Sequence, residues 1–307
     1  MDVVTDPRCL LHDVPLGFPE QPSRLISILA GLRAGGRAVH EPGAHPDARP
    51  LVERVHSAAY VERFRAAVER GDGLFDSADN PLVASTWDAA WGAVDATLHA
   101  TDRALAGTAA FAAVRPPGHH AEKQLAMGFC WFNNAAVVAE RLRAQGLSRV
   151  AIFDFDVHHG NGTQHIFEER ADVFYASTHQ YPFYPGTGAA SERGRGEGLG
   201  ATLNVPLPAG CDDGEYAVAI EGTVLPALRA FTPEALVVSA GFDAWQGDPL
   251  GGMRVTADGF AQWGRWLSGL ARECCGGRLV ALLEGGYDVP ALPRLVEAFL
   301  VGVEAGL

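Results

Sequence analysis

A chain of 307 residues, 48% of them hydrophobic, is long enough to bury a large core. Its formal charge of −13 argues against broad binding to a nucleic-acid backbone and mildly favours a cationic substrate or partner. Five cysteines (Cys9, Cys130, Cys211, Cys274, Cys275) form no CxxC pair, which argues against a disulfide framework or a four-cysteine zinc site. No run approaches the roughly 20 apolar residues of a membrane span, and the opening MDVVTDPRCLLHDV lacks a leader pattern. A soluble cytoplasmic protein without a membrane partner is expected.

In chain order, Pro22 and Ser23 followed by Leu25, Ile28, Leu29 and Leu32 predict a helix ended by Gly35 and Gly36. Tyr60, Phe64 and Val68 predict a second helix before Gly71. From Gly71 to Val83, Asp72, Asp76, Asp79, Asn80 and Pro81 give a loop composition that could overhang a site, with Asp76 or Asp79 at a substrate rim. Ser85 and Asp88 resemble a capping box for a helix bearing Trp87, Trp91, Val94 and Leu98, whose tryptophans are expected in the core.

Ala109 to Val114 is an apolar strand ending in Arg115-Pro-Pro-Gly-His119-His120, where the prolines force a turn. Gly128 to Asn134 leads into a helix with Val137, Val138 and Leu142. Val150 to Gln164, VAIFDFDVHHGNGTQ, starts as a buried strand and runs into Asp154, Asp156 and His158, which strand alternation places on one face. Buried carboxylates and imidazoles are costly without a partner, and a divalent metal is the most economical one. A capping Asp and a surface His pair would be the plain structural alternative.

Val173 to Ser177 and Thr202 to Leu207 are further strands, and Tyr216, Ile220, Val224 and Leu228 a further helix. The glycines between Gly186 and Gly200 match no nucleotide-binding motif. Ala235 to Asp243 delivers a carboxylate just past an apolar strand, the natural third ligand. Thr256 caps a helix bearing Phe260, Trp263, Leu267 and Leu270; a last strand, Arg278 to Glu284, ends near Tyr287, and Leu295, Phe299 and Val303 mark a terminal helix. This alternation predicts an α/β fold, an open mostly parallel sheet with helices on both faces, as a single catalytic domain over 1–307. Ligands of such sheets sit outside the carboxyl ends of the strands, where these distant segments would converge on one crevice.

The segments RPPGHHA (115–121), GFCWFNN (128–134), DFDVHHGNGT (154–163), YPGTG (184–188), SAGFDA (239–244) and LEGGY (283–287) together resemble the histone deacetylase superfamily, most closely its class II and bacterial amidohydrolase branch. HDVPLGFPEQPSRL (12–25) is similar to the family's amino-terminal His-Pro-Glu region. The resemblance implies an arginase-like fold with a catalytic zinc at Asp156, His158 and Asp243. It implies tandem catalytic histidines at His119 and His120, Asp154 paired with the first, and a transition-state tyrosine at Tyr287. Gly128, Phe129, Tyr184, Leu250 and Gly285 would contact substrate in a channel for an acyl-lysine stem, and a potassium ion would sit at Asp154, Asp156, His158 and Ser177.

The sequence departs from that pattern at Phe18, which stands where the family usually has His, and at Trp131, where Tyr is common. Leu250 is not the glutamate that polyamine deacetylases of the family carry, which lowers the polyamine reading. Because Asn161 bears no charge, only His119 would face a carboxylate and favour imidazolium, leaving His120 as general base by elimination. The expected activity is removal of acetyl or other acyl groups from lysine side chains, and the same chemistry on small acylated amines such as acetylpolyamines is the nearest rival. A ureohydrolase would need a second-metal motif, which is absent, and a silent acyl-lysine binding module would be expected to lack Tyr287 or a ligand.

Overall fold

A computed structural model describes residues 1–307. The strands are, in chain order, β1 (Asp2–Val4), β2 (Val39–His40), β3 (Leu74–Phe75), β4 (Ser77–Pro81), β5 (Ala110–Ala112), β6 (Val150–Asp154), β7 (Val173–Gln180), β8 (Thr202–Leu207), β9 (Ala235–Ala240) and β10 (Leu279–Leu283). Eight of them form one sheet in the order β2-β1-β5-β10-β9-β6-β7-β8. Every pairing in it is parallel.

Helices α1 (Pro22–Ala34), α2 (Ala48–Val55), α3 (Ala58–Arg70), α4 (Thr86–Leu105), α5 (Asn134–Ala144) and α6 (Asn161–Phe167) belong to the first half of the chain. α7 (Asp213–Ala219), α8 (Leu225–Phe231), α9 (Ala257–Cys274) and α10 (Leu292–Gly306) follow. Residues on both faces of β5, β6, β7, β9 and β10 are buried throughout, as expected for parallel strands covered on each side. A single apolar cluster of 84 buried residues joins the sheet to its helices.

Helix ends follow local chemistry. Ser57 and Thr256 accept from the backbone N–H of Tyr60 and Gly259, and Gly71 closes α3 in the left-handed conformation at φ 72°. Ser85 is different: its side chain makes no cap bond and instead donates to the Leu11 carbonyl. Trp87 and Trp91 are only partly buried at the edge of the core. The Tyr216-to-Leu228 stretch is helical with a π turn at Ile220–Val224, between α7 and α8, which suits apolar residues spaced by four.

Two other expectations need correction. The Gly71–Val83 segment carries the small antiparallel pair β3 and β4, not only loop. β6 ends at Asp154, so Asp156 and His158 lie in the following loop rather than on a continuing strand. Their convergence with Asp154 is set by bonds within that loop, where Asp156 N–H donates to Asp154 Oδ1 at 3.1 Å and His158 N–H to Asp156 Oδ1 at 2.9 Å.

Candidate active site

The strands β5, β10, β9 and β6 are neighbours, so the segments after their carboxyl ends meet although they are far apart in sequence. Arg115, fully buried just past β5, donates to both Glu20 oxygens at 2.9 and 2.8 Å and to the carbonyls of Cys9 and His12. Arg24 donates to Glu20 at 3.0 Å and to the carbonyls of Glu284 and Gly286 at 2.6 Å each. Burial alone would raise the Glu20 carboxyl, but Arg115 and Arg24 hold it down at about 2. One carboxylate thus ties the His119–His120 loop to the loop bearing Tyr287.

At the base of the site, His158 Nδ1 lies 3.1 Å from Asp156 Oδ1 and 3.1 Å from Asp243 Oδ2. One donor atom from each of Asp156, His158 and Asp243 falls within 4.8 Å of the others. Their remaining oxygens are occupied, since Asp156 Oδ2 accepts from Gly285 N–H at 2.7 Å and Asp243 Oδ1 from Val157 N–H at 2.9 Å. Considering the protein groups alone, burial and then the Asp156 charge push the Asp243 carboxyl up to about 7. Two buried carboxylates converging with an imidazole suit a divalent cation, and the 3.1 Å separations are close to the roughly 3.3 Å edge of a tetrahedron with bonds of about 2.0 Å. This donor set fits zinc.

Gly285 lies beneath these carboxylates rather than on the channel wall. A Cβ there would sit 2.2 Å from Asp243 Oδ2 and 2.6 Å from Asp156 Oδ2, so only glycine allows the approach. Gly128, at φ 56°, is equally constrained, because a Cβ would meet the His120 ring at 2.3 Å.

The two histidines stand in different surroundings. His119 Nδ1 is 3.0 Å from Asp154 Oδ2, whereas His120 Nδ1 is 2.8 Å from the uncharged Asn161 Oδ1. Burial opposes charge on both. For His119, the Asp154 and Asp156 carboxylates outweigh it and carry the imidazole up to about 10. For His120, the neighbouring His119 and His158 add to burial and hold it well below the ordinary value. His159 faces away from this centre and bonds Thr187 and Gln164.

Above the donors opens a cavity of about 390 Å³, lined by Asp79, His120, Gly128, Phe129, His158, Phe183, Tyr184, Leu250 and Tyr287. Phe18 packs edge-on against Phe129 with ring centroids 5.2 Å apart, and Tyr287 lies under the Arg24 guanidinium, 4.8 Å from its ring centroid. Burial pushes the Tyr287 phenol well above its usual range, so it remains a proton donor.

Of the two aspartates expected near a rim, Asp79 reaches the cavity. Its Oδ2 accepts from Tyr184 OH at 2.8 Å and from Gly128 N–H at 3.1 Å, while Oδ1 has no partner. Asp76 is instead paired with Arg63 and accepts from Ala126 N–H. Ser177, expected to help hold potassium, is buried beside Asp154 as its register partner across β6 and β7, and its Oγ lies 2.8 Å from His179 Nδ1.

Three supporting carboxylates escape a reading by motif role. Glu284 accepts from the backbone N–H groups of Gly118 and His119 and from Ser239 Oγ. Asp248 accepts from Leu250 and Gly251 on one oxygen and from Tyr287 and Asp288 on the other, fixing two cavity walls at once. Glu122 meets the Asn161 amide. Asp248 carries a local signal, an Asp ahead of Pro249, Gly251 and Gly252 that marks a turn, and Glu284 follows an apolar strand as Asp243 does.

The profile described as histone deacetylase domain matches residues 18–303, nearly the whole chain. The chain belongs to the histone deacetylase family. It is 41% identical to the histone deacetylase-like amidohydrolase of Pseudomonas aeruginosa over 281 residues, 90% of this chain and 73% of that protein. Among solved structures, it is similar to the HDA15 HD domain, with a TM-score of 0.93 and 37% identity over 99% of this chain and 89% of that one. It is also similar to the acetylpolyamine aminohydrolase of Burkholderia pseudomallei, with a TM-score of 0.87 and 34% identity over 100% and 99% of the two chains. The open parallel sheet with its helices is therefore the arginase/deacetylase-like fold, and the family is one of deacetylases and amidohydrolases.

Proposed function

We propose that the protein is a zinc-dependent deacylase that removes acetyl or other acyl groups from lysine side chains of proteins or peptides. The observation that carries this reading is the convergence of Asp156, His158 and Asp243 at the foot of an aromatic cavity, beside His119 and His120. Zinc held by these three residues would supply Lewis acidity to an amide carbonyl and to water.

The chain's own groups then divide the work. His120, neutral and on the cavity wall, accepts the proton of the attacking water at Nε2. His119, charged and anchored by Asp154, stabilises negative charge nearby and holds the geometry. Tyr287 donates to the oxygen that becomes anionic, a contact stronger in the transition state than before it. Phe129, Phe183 and Tyr184 enclose an aliphatic stem and exclude water, with Gly128 at the lip and Leu250 opposite. Potassium enters through the family resemblance, with buried Asp154 and Ser177 adjacent in register as its nearest support.

No helix is long and apolar enough to cross a membrane. The free cysteines suit the cytoplasm, where thiols stay reduced.

A second reading, hydrolysis of small acylated amines, is favoured by the Asp79 carboxylate among the cavity-lining residues and by the net charge of −13, both suited to a cationic chain. Leu250 weighs against it as the sequence stands. Amine release from acetyl-lysine peptides, longer acyl-lysines and acetylpolyamines separates the two. Preference for peptides in kcat/KM supports the first reading, and preference for acetylpolyamines the second. No release from any of them would leave neither standing.

A further inference from the structure

Asn161 opens α6, and its side-chain amide stands between two groups of different kind. Its Oδ1 is 2.8 Å from His120 Nδ1, and its Nδ2 donates to Glu122 Oε1 at 2.6 Å. His165, one helical turn beyond Asn161, holds the same Glu122 oxygen through Nδ1 at 2.7 Å. The Asn161 residue is 3% exposed, and besides Glu122 its Nδ2 meets only the weak acceptor Met127 Sδ at 3.4 Å.

A carboxylate only accepts hydrogen bonds. The amide must therefore turn its NH2 toward Glu122, because the opposite orientation would press a carbonyl oxygen against a carboxylate oxygen at 2.6 Å. That choice presents the Asn161 carbonyl to His120. A carbonyl cannot donate, so Nδ1 of the neutral imidazole must carry the proton and Nε2 the lone pair. With the amide reversed, Nδ1 would accept, and the proton would sit on the nitrogen that has to be free.

We propose that Glu122 is a positioning residue that fixes the Asn161 amide and thereby the His120 tautomer, keeping Nε2 able to take a proton. The catalytic consequence rests on the amide-hydrolysis reading above; the tautomer itself does not.

The test therefore has two independent readouts. In the zinc-loaded protein labelled with 15N-histidine, the His120 ring signals, assigned by their loss in His120→Gln, should show a protonated Nδ1 and an unprotonated Nε2. Glu122→Ala should introduce the other tautomer and lower kcat by about 10- to 100-fold, the usual effect of removing a residue that orients a site group, with little change in KM.

The second readout is a reversal of sign. In the native background Glu122→Gln should lower kcat, because a glutamine can present its own NH2 to Asn161 and permit the reversed amide. In Asn161→Asp, where two carboxylates would face each other, the same Glu122→Gln change should raise kcat. This cycle remains decisive if Glu122→Ala does not fold. An unchanged His120 tautomer in a folded Glu122→Ala, or a Glu122→Gln effect of the same sign in both backgrounds, would overturn the proposal. Absence of wild-type amide turnover would instead overturn the hydrolase reading, and the tautomer signals would still decide the role of Glu122.

Discussion

Individual residues in this site are distinguished by what lies against them more than by their type. Tyr287 is held as a proton donor by burial, and its role as oxyanion donor predicts that Tyr287→Phe retains metal and ligand affinity while kcat falls about 100- to 1000-fold. Parallel measurements of turnover and inhibitor binding check this; near wild-type turnover would remove the role. His120 must be neutral to accept a proton, and protonation at low pH removes that ability. Burial and the His119 charge hold its pKa below the ordinary 6.5, and a cation bound at His158 acts in the same direction. The acidic limb of kcat/KM should therefore lie below pH 6.5. Buried charge at strand ends marked Asp154, Asp156, His158 and Asp243 as a metal-seeking cluster in the sequence, while the choice of three donors among them and the roles of His119 and His120 came from the family resemblance. Glu122, Glu284 and Asp248 each accept several hydrogen bonds, most of them from groups distant in the chain, and no periodic pattern marks such bonds.

The elements carry the site through their ends. Glu20, Arg24 and Arg115 are buried together and join the loops after β5 and β10. Replacing Glu20 by Ala would leave two guanidinium groups buried without their carboxylate, and should destabilise the fold by about 3–5 kcal/mol in urea denaturation. Gly285→Ala would force the Asp156 and Asp243 carboxylates apart, and loss of bound zinc by direct metal analysis is the expected outcome. Long elements with a repeating apolar pattern, such as α1, α3, α9 and β9, were readable from spacing. β1 and β2 were not, since three and two residues are too short to show alternation. Asp156 and His158 show the limit of the alternation argument: the side chains do converge, but through a hydrogen-bonded loop.

At the scale of the molecule, eight parallel strands and one continuous core of 84 residues link the amino-terminal and carboxyl-terminal halves. We propose on this basis that the chain folds as a single domain, which predicts one cooperative transition with coincident far-UV and tryptophan-fluorescence midpoints; separated midpoints would favour two units. The sheet order brings β5, β10, β9 and β6 side by side, and this adjacency turns scattered motifs into one centre. The most direct test of that centre measures zinc content and amine release from an acetyl-lysine peptide for the wild type and for Asp243→Asn together. The account predicts one zinc per chain with turnover in the wild type, and loss of both in the variant. Turnover by a metal-free variant, or no amine release from any acylated amine by a zinc-replete wild type, would contradict it.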